Sequence, residues 1–182
     1  MTMPNNGIAR RAKYLVGALS VLVVVMLGFG VLKLLRDEGK QIAKDRLVIF
    51  LQGEVSRHEK IAGIRCQEIH QGVRDLIAKD ISPILDAYKV GGNWRLDLDG
   101  RVRRIGQLGA LVEACSALQR NQVDGNQRVG SPISRNILVE VTALPVYVGK
   151  GLTADTCGAT CVATHMNLIE ASRDALAMEI SS

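Results

Sequence analysis

The chain has 182 residues and a formal net charge of +5 at neutral pH, with a pI near 9.2. The excess is local: it is carried by Arg10, Arg11, Lys13, Lys33 and Arg36, and beyond Arg36 acidic and basic side chains balance, so the basic footprint that nucleic-acid binding needs is missing from the bulk of the chain. One Trp, three Tyr and two Phe leave little for a platform on which bases or sugars stack.

Tyr14 to Leu32 is an uncharged apolar run whose length, at about 1.5 Å per helical residue, nearly matches a hydrocarbon core of about 30 Å. It predicts a transmembrane anchor over 14–34, behind a short basic cytoplasmic tail at 1–13. A cleaved secretory signal is the alternative, since Arg10, Arg11 and Lys13 form a basic n-region. The run is longer than a usual h-region, however, and no small-residue cleavage site follows before Lys33. The Arg10-Arg11 pair lacks the flanking residues of a twin-arginine signal. Basic residues stand on both flanks, with Lys33, Arg36, Lys40, Lys44 and Arg46 after the run, so charge alone leaves orientation open. Cysteines that all lie beyond the run favour an oxidising, extracytoplasmic side for the rest of the chain. The expected placement is therefore single-pass, with an N-terminus in the cytoplasm and a domain outside it, in the periplasm if the source is bacterial.

Residues 35–62 favour helix and read as a stalk, with candidate breaks at Gly39 and Gly53. The region 63–182 is expected to form one compact, mainly helical domain with a small β element, an α+β fold. Ile69, Val73, Leu76, Ile77 and Ile81 recur at helical steps, predicting a helix from about Ile61 to Asp80. Ser82-Pro83 restarts it as a short helix to Tyr88, because Ser caps and Pro suits a first helical position. Gly91-Gly92-Asn93 ends that unit.

Trp94 to Leu98 alternates like a short strand before an Asp99-Gly100 turn. Ile105, Leu108, Leu111, Val112, Cys115 and Leu118 form a second helical stripe, followed by polar, turn-rich sequence from Asn121 to Ser134. Ile137 to Val148 is rich in β-branched residues and predicts a strand, with Pro145 at an edge or bend. A last helix, from about Thr160 to Met178, carries Val162, Met166, Ile169, Leu176 and Ala177 on its buried side.

Four cysteines, Cys66, Cys115, Cys157 and Cys161, allow three pairings. Pairing Cys66 with Cys115 and Cys157 with Cys161 is favoured as joining plausible neighbours; the alternative crosses both helices to the last one. Cys157, Cys161 and His165 at four-residue steps would also suit a metal on one helical face. That site lacks an evident fourth ligand, His58 and His70 standing in no zinc spacing, so no metal or other cofactor is assigned. The spacing fits neither a C-x-x-C redox motif nor a haem attachment motif.

Thr156-Cys157 downstream of an apolar segment resembles the sortases, which implies a cysteine nucleophile working with a histidine and an arginine. A sortase is a β-barrel, which this helix-rich chain does not supply. In size and helix content the chain also resembles membrane-anchored phage lysozymes, but the glutamate and glycine-rich pattern expected soon after the anchor are missing. Asp97-Leu98-Asp99-Gly100 resembles the opening of a calcium loop without its third acidic ligand or closing glutamate. Arg101, Arg103 and Arg104 could meet phospholipid headgroups, with Asp97, Asp99 and Glu113 near enough to neutralise them.

No catalytic set converges in the sequence, and no catalytic residue is named. The leading expectation is a bitopic, non-enzymatic assembly subunit of a cell-envelope complex, of the secretion, pilus or phage-lysis type. Its partners would be the lipid bilayer and other envelope proteins, copies of itself included, and no nucleic acid. A small-ligand sensor domain and a membrane-surface enzyme using Cys157 are the rivals.

Overall fold

The structure is a computed structural model, and it describes residues 38–122, 133–153 and 156–181. The chain divides into two compact units, Met1–Leu47 and Val48–Ser182. Of the first, residues 38–47 are described and are helical, with Gln41 donating to Asp45 across one turn.

In the second unit every regular element among the described residues is a helix. Helix α1 covers 48–62 and buries Val55; it stops at Gly63, whose φ of +71° suits glycine. After a 3-10 turn at Cys66–Glu68, α2 (Ile69–Leu76) runs through a π-helical turn (Ile77–Ile81) into α3 (Ser82–Lys89). Helix α4 (Leu98–Asn121) follows, then α5 (Arg135–Pro145), which continues as a second π-helical turn (Val146–Gly151), and α6 (Ala159–Glu179).

These segments form four rods, and the contacts between them fix their order and sense. The α2–α3 rod meets α4 with Cys66 at Cys115 and Asp80 at Arg104. Helix α4 meets α5 with Gln119 at Ile133 and Gly109 at Val141. Helix α5 meets α6 with Asn136 at Glu179 and Glu140 at Ser172. Helix α6 returns to the first rod with Ile180 at Arg74 and Glu170 at Lys89. Residue numbers rise on one rod as they fall on the next at each seam, so every neighbouring pair is antiparallel. This is an up-down-up-down four-helix bundle.

The apolar stripes read from the sequence are its buried faces: Ile69, Val73, Leu76 and Ile81; Ile105, Leu108, Leu111, Val112 and Leu118; Val162, Met166, Ile169 and Leu176. Both expected β segments are corrected. Ile137–Val148 is helical because its fully buried residues, Ile137, Val141, Leu144 and Val148, step by four, three and four, which places them on one side of a helix. Ser134 caps that helix by accepting from the Ile137 amide. Trp94–Asp97 is a turn leading into α4, held by Tyr88 edge-on to Trp94 and by the Arg95 guanidinium 4.4 Å from the Trp94 ring centroid. The expected helix from Ile61 to Asp80 is broken at Gly63, and Gly53 does not interrupt α1.

The two prolines at the π-helical turns have complementary partners on α4. Pro83 has no N–H to offer the Lys79 carbonyl one turn back; Arg101 Nη1 donates to Lys79 O and Asp80 O, at 3.0 and 2.9 Å. Pro145 likewise offers nothing to the Val141 carbonyl. There α4 presents Gly109, where a Cβ would stand 3.3 Å from that oxygen, so glycine lets the two backbones approach closely.

The expected anchor at 14–34 and the basic residues Arg10, Arg11, Lys13, Lys33 and Arg36 lie outside the described residues. Among the described residues no helix is long and apolar enough to cross a membrane. The long helices α4 and α6 carry exposed charges, including Arg103, Arg120 and Asp174. That finding stands against the single-pass placement with an extracytoplasmic domain, which is accordingly corrected.

Candidate functional site

The four cysteines form two bonds, Cys66–Cys115 and Cys157–Cys161. The first joins the start of the α2–α3 rod to α4, with Cα atoms 5.8 Å apart and both side chains buried. The second links the approach to α6 with its first turn, Cα atoms 5.3 Å apart, among exposed neighbours at Thr156, Gly158, Ala159 and Thr160. With its sulfur bonded, Cys157 offers no thiolate for the nucleophilic role that the sortase resemblance implied.

The histidines are spread over three helices. His58 lies 3.8 Å from Glu54 on α1, and His70 stands on α2 near Glu179. His165 packs its ring on Gly151, and its Nδ1 is buried without a hydrogen-bond partner. Among the described residues no three His, Cys, Asp or Glu side chains are grouped as a metal would require.

A groove of about 200 Å³ lies between the first rod and α4. Its walls are Ile64, Gly72, Leu76 and Leu108, and its polar rim is formed by Asp75, Lys79, Asp80 and Arg104. Each of those charges has an opposite partner. Lys79 bonds Asp75 at 2.7 Å and holds its carboxyl below the ordinary range, helped by Gln71. Arg104 bridges buried Asp80 and exposed Asp97 at 2.7 and 2.9 Å. That bridge lowers the Asp97 pKa and raises that of Arg104. Sequence proximity suggests Asp97 for this role, whereas Asp80 is supplied by the neighbouring rod. Asp97 itself adopts φ 53° at the α4 N-cap, so it serves a tight turn. A groove of this size falls below the roughly 300–1,000 Å³ of ordinary ligand pockets.

The outer side of the α5–α6 pair has a different character. On α5 it presents Val139, Thr142, Ala143 and Val146; on α6, Thr164, Leu168, Ala171, Ala175 and Met178. The spacing of three and four keeps each set on one side, and exposed Arg135 on α5 and Asp174 on α6 border it. Val139 and Val146 are 50 and 47 % exposed, Leu168 38 % and Met178 71 %. The charges of α5 and α6 stand beside this strip: Glu140 bonds Ser172 at 2.6 Å, and Glu170 takes Lys89 from the opposite rod. The β-branched composition of Ile137–Val148 hides this strip in the sequence, because in a strand Val139 and Thr142 would face opposite ways.

No family model, no curated protein and no solved structure matches the chain.

Proposed function

We propose that the chain is a non-enzymatic assembly subunit that works by protein–protein contact, using the outer α5–α6 strip to pack against a helical partner, in the first instance a second copy of itself. The observation that carries this reading is the strip: two adjacent antiparallel helices expose valine, leucine and methionine at helical steps, bordered by the charges of Arg135 and Asp174. Solvated helix faces ordinarily carry charges there, as the outer side of α4 does. Ala143, Ala171 and Ala175 leave room for a partner backbone to come close, and the larger side chains around them supply apolar area to bury.

Sedimentation equilibrium of the full chain tests it. The wild type is expected to self-associate, and the Leu168→Glu/Ala175→Glu variant to lose at least about tenfold in association constant with unchanged helix content, since a buried unpaired charge is costly in an apolar interface. Equal association of the two would remove the strip from the account.

A further inference from the structure

We infer that Cys157–Cys161 is a thiol–disulfide exchange site that accepts electrons from small thiols such as glutathione, while Cys66–Cys115 is a structural bond outside that chemistry. Three features separate the two bonds. Cys66 and Cys115 are 3 and 0 % exposed within the bundle core, so an attacking thiolate reaches them only when the core opens. Cys157 and Cys161 are partly exposed, with exposed Thr156 before them and exposed Gly158, Ala159 and Thr160 between them, so a thiol reaches them with every helix in place.

The second feature is the span of each bond. Cys66–Cys115 ties positions 49 apart in sequence and joins two rods; Cys157–Cys161 ties positions four apart at one helix end. Opening the first releases a large constraint on the unfolded chain, whereas opening the second releases almost none. The bundle is therefore indifferent to the redox state of the second pair.

The third is the place of the exchanging sulfurs. Helix α6 is 21 residues long, its N-cap Gly158 provides no side-chain acceptor, and its first turn contains no acidic residue. The first amides and the positive end of its dipole lie beside Cys157 and Cys161, and they favour a thiolate there. In the exchange, a glutathione thiolate attacks one of the two sulfurs, forms a mixed disulfide and releases the other as a thiolate. A second glutathione thiolate attacks the glutathione sulfur of the mixed disulfide and releases the remaining cysteine thiolate. The two electrons come from the two glutathione molecules, which leave as oxidised glutathione, and the cysteine thiolates take up the two protons.

The test is differential alkylation of the full chain in reduced glutathione, read by peptide mass with far-UV circular dichroism on the same samples. Cys157 and Cys161 are expected to label at least about tenfold faster than Cys66 and Cys115, with helix content unchanged, and to re-form their bond in oxidised glutathione. Equal labelling of the two pairs, protection of Cys157 and Cys161, or loss of helix as they reduce would each overturn the inference. A Cys157→Ser/Cys161→Ser variant provides the second arm: it is expected to fold with Cys66–Cys115 intact, and failure to fold would make the pair a staple instead.

Discussion

Lys89 and Glu170 meet at 2.6 Å across the seam between α3 and α6, and the contact has a definite pH dependence. Lys89 holds the Glu170 carboxyl below the ordinary carboxylate range. Ser134 and Asn136 do the same for Glu179 where α5 meets α6, and Arg104 does so for Asp97. A carboxylate whose pKa is lower folded than unfolded binds fewer protons in the folded state. Its contribution is therefore full above the unfolded value, near 4, and is lost as pH falls through the lower folded value. Thermal melts of Lys89→Met are expected to lie below the wild type at pH 7 and to converge with it as the pH drops below about 4. A gap that stays constant through the acid range would contradict this reading of the pair.

At the scale of elements, the joints depend on α4. Pro83 and Pro145 each withdraw a backbone donor, and α4 answers with Arg101 at one joint and Gly109 at the other. Arg101→Met is expected to cost about 1–3 kcal/mol by stripping the Lys79 and Asp80 carbonyls of their donor. In a Pro83→Ala background, where the amide N–H returns, at least about half of that cost should disappear. Denaturant melts of the two single variants and the double variant measure this coupling, and strict additivity would show that the arginine and the proline act independently. Such pairings explain what was legible in the sequence. The stripes of α2, α4 and α6 could be read because their apolar steps are long and regular. Ile137–Val148 misled because β-branched composition and an internal Pro145 both mimic an edge strand, although the steps of four, three and four were present. Burial identifies those steps as the governing signal, since tertiary packing overrides β propensity. The cysteine pairing followed from neighbourhood on the predicted helices. Asp80 as the partner of Arg104 was invisible, because it depends on which rods are adjacent.

At the scale of the molecule, the bundle separates its tasks by face and by end. The Cys66–Cys115 bond ties the first rod to α4, and Cys157–Cys161 sits at the start of α6, towards the other end. The groove between the first rod and α4 has its charges paired, whereas the outer α5–α6 strip is mainly apolar. The strip offers an apolar area of the kind that association buries, spread over two adjacent helices of the bundle, and the functional proposal rests there. The most direct measurement places a photo-crosslinking amino acid at Leu168 in the full chain, with a second sample carrying it at Arg103 on the charged outer side of α4. The account predicts a dimer-sized adduct from the Leu168 sample, with the crosslinked peptide mapping to α5 or α6 of another copy, and none from the Arg103 sample. Equal adducts from both positions, or none from Leu168, would contradict it.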